Sequence, residues 1–287
     1  MKLKKVLTVV IVLSVLSVSI LLLYKELTEY SVKRIEIVSD KRVFDKTPTS
    51  FVGTSIVFIS DIHYHAFMDK DRLTPFIETI RQLNPDIVLF GGDLYDHPSV
   101  KLPPEAIIKE LTQLLASIEA PLGKYAVLGN HDHESSITKA LTIQTLEDAD
   151  FQVLINEQVH VYNQSQDKIA IIGIDSQLLG SPNIEAAFAN ADDSLLTIVL
   201  SHTPDVIDLL PINKADWQLS GHSHGGQIAL PFIGPLYKVP YAQNHINPTS
   251  IVNGILLDVS NGIGTTRYDM RLFANPQIHY YTLGKDE

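Results

Sequence analysis

The chain contains 287 residues, which is enough for one large domain or two small ones. Its formal net charge of -11 argues against a nucleic-acid-binding surface, which is normally basic. Because the chain contains no cysteine, disulfides, zinc–thiolate sites and cysteine nucleophiles are excluded, and any metal must be held by His, Asp, Glu, Asn or backbone oxygen.

An uncharged apolar run from Val6 to Tyr24 follows three lysines at the start of the chain. The run is long enough to cross the hydrocarbon core of a bilayer as a helix, for which roughly 20 apolar residues are needed. A cleavable signal peptide usually has a shorter apolar region and small residues at its cleavage site, and no such site follows Leu21. We therefore expect a retained membrane anchor; a cleaved signal peptide and a buried helix of a soluble protein are the alternatives.

The basic residues around this run indicate its orientation. Lysines precede it, and Lys25, Lys33 and Arg34 follow it. A first apolar segment with an N-terminal lysine cluster more often leaves the N-terminus in the cytoplasm, so the large domain is expected outside it. We interpret residues 1–29 as the membrane anchor and the start of a stalk, and residues 30–287 as one domain with a core at about 50–287.

Short β-branched apolar runs recur along the rest of the chain and predict buried strands. They lie at residues 34–38, 56–59, 87–90, 125–128, 153–155, 169–174, 196–200 and 254–259. Helical patterns lie between several of them, at residues 71–83, 104–118, 136–146 and 183–189. Strands that alternate with helices indicate an α/β domain with largely parallel strand pairing.

Five predicted strands, the fifth near residues 218–220, end directly before residues that can bind a metal. The segments that follow them are Asp61-Ile62-His63, Gly91-Gly92-Asp93, Gly129-Asn130-His131-Asp132, His202 and Gly221-His222-Ser223-His224. Ligand sites in α/β sheets gather beyond the carboxyl ends of the strands. On extended backbone the two histidines of the last segment point to the same side. Converging imidazoles usually bind a metal; taken alone, this segment could also be a polar turn with incidental histidines.

This series of motifs, from Ile56 to the C-terminus, resembles that of the calcineurin-like metallophosphoesterases. The resemblance implies an α/β fold, a four-layer α/β/β/α sandwich of two mixed sheets, here preceded by one N-terminal transmembrane helix. The ending Gly225-Gly226-Gln227 is similar to a bacterial branch with the motif GHTHGGQ. That branch includes membrane-anchored or exported phosphoesterases and is related to enzymes that hydrolyse UDP-diacylglucosamine. Residues 267–270 depart from the Pro-containing segment of this branch, which affects the shape of that loop.

The resemblance further implies two divalent metal ions, chosen from Mn, Fe and Zn. The implied ligands are Asp61, His63 and His224 for one ion and Asn130, His202 and His222 for the other, with Asp93 bridging both. One carboxylate can span two ions, and a nitrogen and oxygen donor set without sulfur suits these metals. The implied reaction is direct attack of a metal-bridging hydroxide on a phosphodiester, pyrophosphate or phosphomonoester.

Two further residues have expected catalytic roles. His131 resembles the substrate-facing histidine of the family, which stabilises the transition state or protonates the leaving oxygen. Asp132 is either the carboxylate that orients this imidazole or the N-cap of a helix that begins near Ser136. The other histidines beside the motifs, His65 and His133, match no implied ligand, and Asp96 is expected to lie in a polar loop.

The complete set of implied ligands favours an enzyme over a non-catalytic scaffold of the same fold that binds a protein partner. A nuclease of the same superfamily is disfavoured, because the chain is acidic and has an anchor. The expected partners are a phosphate ester, with lipid-linked esters among the candidates, and the cell membrane; nucleic acid is not expected.

Overall fold

The computed structural model describes residues 2–97, 100–164 and 166–286. The expected anchor begins at residue 1 and the expected domain ends at residue 287, and these two residues lie outside the described ranges. The first helix, α1 (Lys2–Lys25), contains the apolar run, and its large side chains from Val6 to Tyr24 are exposed. Within the described ranges it is the one helix long and apolar enough to cross a membrane. The chain continues through a π-helical turn, Glu26–Tyr30, and a 3-10 turn, Ser31–Lys33, where it becomes buried against the domain.

The remaining elements alternate between strands and helices. The strands are β1 (Glu36–Val43), β2 (Ser55–Ile59), β3 (Ile87–Phe90), β4 (Lys124–Ala126), β5 (Phe151–Val153), β6 (Glu157–Tyr162), β7 (Lys168–Ile174), β8 (Thr197–Ser201), β9 (Trp217–Ser220), β10 (Ala229–Leu230), β11 (Gly234–Pro235), β12 (Thr249–Val252), β13 (Ile255–Val259) and β14 (Gln277–Gly284). The helices are α2 (Lys70–Leu83), α3 (Glu105–Ala116), α4 (Ser136–Glu147) and α5 (Ile184–Ala187).

Two six-stranded sheets form the centre of the domain. The first has the order β1-β14-β2-β3-β4-β5, and the second has the order β12-β13-β9-β8-β7-β6. Strands β2 to β5 are parallel, as are β7, β8, β9 and β13, while β14, β6 and β12 each form an antiparallel pair. Both sheets are therefore mixed, and the strands of each parallel core end at the same edge.

The apolar faces of the two sheets and of the helices show that the domain has four layers. Strands β2, β3 and β8 are buried at every position, as expected for strands covered on both faces. One apolar cluster joins the first sheet to α2, α3 and α4, a second fills the space between the sheets, and a third lies under α5 and a 3-10 turn at Pro204–Leu209. The helical layer on the second sheet is thus the thinner one.

The expected α/β sandwich of two mixed sheets is confirmed, and every predicted strand overlaps an observed one. The predicted apolar runs do not include β6, β12 and β14, because polar positions interrupt the continuous apolar run that marks a fully covered strand. The small hairpin of β10 and β11 is also additional. The helices were predicted to within a few residues at each end.

Candidate metal centre

Backbone hydrogen bonds draw together the loops that follow the central strands. Asp61 N–H donates to Gly92 O at 2.9 Å, which joins the loops after β2 and β3. The N–H of His222, after β9, reaches the carboxylate of Asp61 at 3.1 Å and so links the two sheets. The seven expected ligands are all buried here: Asp61, His63, Asp93, Asn130, His202, His222 and His224.

Five of these seven residues have a left-handed backbone. Their φ angles are 54° at Asp61, 48° at His63, 57° at Asp93, 66° at His222 and 50° at His224. A side chain in this region costs about 1–3 kcal/mol, and such conformations cluster at functional sites. The premise that the two histidines after β9 lie on extended backbone is therefore wrong: each stands on a tight turn, and the two rings point into different clusters.

Two glycines allow the loops to approach this closely. A Cβ at Gly129 would lie 2.1 Å from Asp93 Oδ1, and a Cβ at Gly221 would lie 2.3 Å from Asp61 Oδ2. A larger residue at either position would push away a carboxylate. These glycines therefore keep space for acidic side chains at the centre.

The first cluster contains Asp61, His63 and His224. Nε2 of His63 lies 3.1 Å from Nε2 of His224, and the latter is 3.4 Å from Asp61 Oδ1. His63 Nδ1 faces the carboxylate of Asp96 at 3.2 Å, so the proton of a neutral ring lies on Nδ1 and Nε2 carries a lone pair. The ligand atoms of these residues are close enough together to hold one metal ion.

The second cluster contains Asp93, His202 and His222. His202 Nδ1 donates to Gly91 O at 2.8 Å, and His222 Nε2 donates to Pro240 O at 2.8 Å. Because carbonyl oxygens only accept, the remaining nitrogens of the neutral rings carry lone pairs, and these nitrogens face each other at 3.1 Å. Two lone pairs at this distance repel each other, so a positive charge, either a proton on one ring or a metal ion bound by both, must lie beside them. The arrangement fits a cation bound by both rings.

The pKa values of the residues in the second cluster also indicate that positive charge is favoured there. Burial alone would lower the pKa of His202, but the charge and hydrogen bond of Asp93 raise it to about 9. Burial would raise the pKa of Asp93, but His202 and His131 hold it well below its usual value. Burial and the neighbouring His202 lower the pKa of His222 to about 3, so this ring is neutral and available as a ligand.

Asp93 lies between the two clusters. Its Oδ2 is 3.1 Å from Nε2 of His202 and 3.7 Å from Nε2 of His63, while its Oδ1 accepts a hydrogen bond from His131 N–H at 2.8 Å. Close by in sequence, Asn130 Oδ1 is buried and has no hydrogen-bond partner among the described residues. A buried amide oxygen without a partner is costly, and a metal ion would satisfy it.

The catalytic candidate His131 is oriented by a residue that the sequence did not indicate. Its Nδ1 lies 2.9 Å from Glu134 Oε1, and the same oxygen is 2.9 Å from His97 Nδ1. Burial opposes protonation, but the charges of Asp93 and Glu134 raise the pKa of His131 to about 9. Glu134 thus favours the protonated form of the ring, which packs edge-on against His63. The sequence signal that could have indicated Glu134 is its spacing, since it is an acidic residue one helical turn after the histidine.

Asp132 has neither of the roles expected from the sequence. Its carboxylate is fully buried and accepts from the backbone N–H groups of Asp93, Leu94 and Gly129, at 2.9, 3.1 and 2.7 Å. The N-cap of α4 is Ser135, whose side chain accepts from Thr138 N–H. The 3-10 turn at His131–His133 explains the difference, because it directs Asp132 back under the loops after β3 and β4. Asp132 therefore fixes these loops to each other.

Of the residues given a minor role, Asp96 contacts the centre most directly, through His63 and through a hydrogen bond from Thr266 at 3.1 Å. His133 forms a buried pair with Asp175 at 2.5 Å, away from the two clusters. His65 donates its backbone N–H to Met68 O and is not in either cluster. Asp96 thus supports a predicted ligand, while His133 and His65 do not join the site.

A cavity of about 470 Å³ opens over both clusters. Asp93, Asn130, His131, His222 and His224 form part of its floor. Its walls are mainly apolar, with contributions from Leu178, Leu179, Leu236, Tyr237, Val239 and Tyr268. A polar floor with apolar walls suits a ligand that has both a polar group and a hydrocarbon part.

The chain is similar to several known proteins. Residues 54–226 match the family model described as calcineurin-like phosphoesterase. An uncharacterized metallophosphoesterase of Bacillus subtilis is 34% identical over 236 residues, 82% of this chain and 81% of that protein. A UDP-2,3-diacylglucosamine pyrophosphatase of Chlamydia muridarum is 26% identical over 280 residues, covering 79% and 82%. Among solved structures, a dimetal phosphatase from Danio rerio aligns with a TM-score of 0.48 and 11% identity, covering 74% of this chain and 88% of that one.

Proposed function

The chain belongs to the calcineurin-like phosphoesterase family of metal-dependent phosphoester hydrolases, and from this premise we propose that it is a dinuclear enzyme tethered to a membrane. Its reaction is hydrolysis of a phosphodiester, pyrophosphate or phosphomonoester bond, with lipid-linked pyrophosphates as the favoured substrates. The observation that carries the dinuclear proposal is the position of Asp93 Oδ2, within 3.7 Å of a histidine nitrogen from each cluster. One carboxylate in that position can serve two ions.

The proposed ligand sets follow the two clusters. Asp61, His63 and His224 hold one ion, while Asn130, His202 and His222 hold the other, and Asp93 belongs to both. Two divalent cations held by these residues would supply positive charge to neutralise phosphate oxygens and to lower the pKa of bound water. The donor atoms, nitrogen and oxygen without sulfur, suit Mn, Fe or Zn.

The proton transfer is assigned to His131. Its Nδ1 is engaged with Glu134, so the proton on Nε2 is available to a group in the cavity. The contact with Glu134 favours the protonated ring, which can give this proton to the departing oxygen. Asp132 accepts hydrogen bonds from backbone N–H groups of the loops after β3 and β4. These bonds keep His131 and Asp93 in fixed relative positions.

The apolar cavity wall supports a substrate with acyl chains. Leu178, Leu179 and Leu236 provide a surface beside the metal ligands that a small hydrophilic ester would leave exposed to water. The similar protein of Chlamydia muridarum is, by its name, a pyrophosphatase for a diacylated nucleotide sugar. Together these support a pyrophosphate-linked lipid as the substrate class.

The membrane tether is assigned to α1, within residues 1–29, followed by the domain in residues 30–287. The helix has exposed apolar side chains and buries none of them in the domain. The N-terminal lysines support a cytoplasmic N-terminus and an extracytoplasmic domain. A reporter fused after Glu287 tests this orientation, because a signal from the cytoplasmic side would reverse it.

The activity is tested on the full-length chain in detergent micelles. With added manganese we expect hydrolysis of bis-p-nitrophenyl phosphate, complete loss after chelation, and recovery when metal is restored. Activity that survives exhaustive chelation would contradict the metal-dependent site. A panel of soluble diesters and UDP-2,3-diacylglucosamine then tests the substrate class: a higher kcat/KM for the lipid is expected, and a preference for soluble esters would exclude it.

A further inference from the structure

Two large apolar side chains occupy the tip of the hairpin formed by β10 and β11. Phe232 has a relative exposure of 108% and Ile233 one of 73%. Phe232 also has a positive φ of 67°, a conformation that a bulky residue rarely adopts and that glycine or asparagine would adopt more easily. An aromatic residue that is both strained and fully exposed indicates that the tip contacts something other than water.

Backbone hydrogen bonds connect this hairpin to the end of the membrane helix. Arg271 N–H donates to Leu27 O at 2.9 Å, two residues after α1 ends. The next residue, Leu272, donates its N–H to Gln227 O and accepts from Ala229 N–H, both at 2.9 Å. The segment at residues 271–272 therefore holds the end of the helix on one side and the base of the hairpin on the other.

The distance from this connection to the hairpin tip is short. Phe232 is three residues beyond Ala229, so it can project roughly 10 Å from the point where the hairpin is bound. The polar zone on each side of a bilayer core is about 5–8 Å deep. If α1 spans the membrane as proposed, the hairpin tip lies within reach of the membrane surface.

The charge of this region fits a lipid surface. No Asp or Glu occurs between Asp216 and Asp258, although the whole chain has a net charge of -11. Exposed aromatic and basic side chains occur on and near the hairpin, with Tyr237, Lys238, Arg267, Tyr268 and Phe273 among them. Exposed aromatic and basic side chains together are typical of protein surfaces at a membrane interface.

We propose that the hairpin tip, Phe232 and Ile233, inserts into the interfacial zone of the same bilayer that α1 spans. The strand that leaves the hairpin leads directly to Leu236 and Tyr237, which line the cavity over the metal ligands. Insertion of the tip therefore places the cavity mouth at the lipid surface, and a lipid substrate enters without crossing water. This inference rests on the proposed function for the anchor and the substrate class.

The absence of cysteine allows a direct test on the full-length chain. Phe232→Cys is labelled with an environment-sensitive fluorophore and reconstituted into vesicles of phosphatidylcholine and phosphatidylglycerol. The matched control is Ile212→Cys, at an apolar position with 59% exposure. Ile212 precedes the amino end of β9, whereas the candidate metal ligands follow the carboxyl end of that strand. We expect blue-shifted emission and several-fold quenching by lipid-attached nitroxide at position 232, and neither at position 212.

Equal responses at the two positions would overturn the proposal. Shielding of position 232 from aqueous iodide without quenching by lipid nitroxide, increasing with protein density, would show contact with a second copy and would also overturn it. The Phe232→Ser/Ile233→Ser variant gives an independent test, with Ile212→Ser as control. We expect a several-fold lower rate on UDP-2,3-diacylglucosamine in vesicles and an unchanged rate on bis-p-nitrophenyl phosphate. If the parent chain hydrolyses neither ester, the proposed function fails, whereas the labelling result stands separately.

Discussion

Glu134 accepts a hydrogen bond from His131 at 2.9 Å and fixes the ring that faces the cavity. Replacement Glu134→Gln keeps the shape of this contact and removes its charge. Burial lowers the pKa of His131, and Asp93 and Glu134 together raise it, so loss of one of the two charges lowers that pKa. We therefore expect the alkaline limb of the kcat profile to move to lower pH, with kcat reduced about 10-fold.

The pH profile of hydrolysis, with metal in excess, measures this shift. Glu147→Gln, which removes an exposed carboxylate at the end of α4, is the matched control and should leave the limb in place. An unchanged limb in Glu134→Gln, with only a uniform fall in rate, would mean that Glu134 is structural and does not tune His131.

His131 is expected to act on the substrate without holding metal. His131→Ala should keep its metal content, because the ring nitrogens are directed to Glu134 and the cavity, and should lose roughly 10²–10⁴-fold in kcat. The loss should be smaller for an ester with a p-nitrophenolate leaving group, which departs without protonation, than for an alkyl ester. Metal analysis of the purified variant checks the assignment; loss of metal together with activity would show that His131 is a ligand.

Asp93 and Asp96 are expected to differ sharply, although only two residues separate them. Asp93→Asn removes the carboxylate between the two clusters, so we expect loss of both ions and of almost all activity. Asp96→Asn changes the partner of His63 Nδ1 and of the Thr266 hydroxyl but removes no proposed ligand, so we expect metal affinity to fall about 10–100-fold and activity to return with excess metal. Metal titration by calorimetry distinguishes them, and two ions retained in Asp93→Asn would exclude a bridging role.

Much of the site could be predicted because its residues directly follow apolar strands. The runs that became β2, β3 and β8 are buried at every position, and such runs are visible in one sequence. Parallel strands of one sheet end at one edge, so Asp61 and Asp93, which follow β2 and β3, had to be close together. His202 follows β8 of the other sheet, and its position beside them depends on how the two sheets pack. The local fold of each loop was not predictable in this way. His222 and His224 adopt a left-handed backbone, and the N–H of His222 is held by the carboxylate of Asp61 from another loop.

Asp132 shows where this reasoning ends. Its neighbour in sequence is His131, yet a 3-10 turn separates the directions of the two side chains, and Glu134 takes the place beside the imidazole. Nothing in sequence spacing distinguishes a carboxylate one residue away from one that is three residues away. The hairpin of β10 and β11 was not predicted either, because each of its strands has only two residues; its base is also bound by Leu272, far along the chain.

His279 provides a prediction about stability rather than catalysis. The ring lies in β14, is 1% exposed, and its nitrogens are 2.7 Å from the Tyr281 hydroxyl and 3.3 Å from Gln277 Oε1. Burial and the nearby charge of Arg42 lower its pKa to about 3. Unfolding restores a pKa near 6.5, so below that value the unfolded chain binds a proton that the folded chain does not. Stability from this group is therefore intact above pH 6.5 and falls progressively towards pH 3.

At pH 5 the loss from His279 amounts to about 2 kcal/mol relative to pH 8. In His279→Gln this contribution disappears, so the decrease in unfolding free energy between pH 8 and pH 5 should be smaller by about that amount, even if the substitution lowers stability at both pH values. Denaturant unfolding of the full-length chain in micelles measures it, with the fluorescence of Trp217, the single tryptophan and a fully buried side chain, as the signal. The pH 8 comparison isolates the packing cost of the glutamine. An equal pH dependence in the parent and in His279→Gln would show that the ring is already accessible to protons in the folded domain.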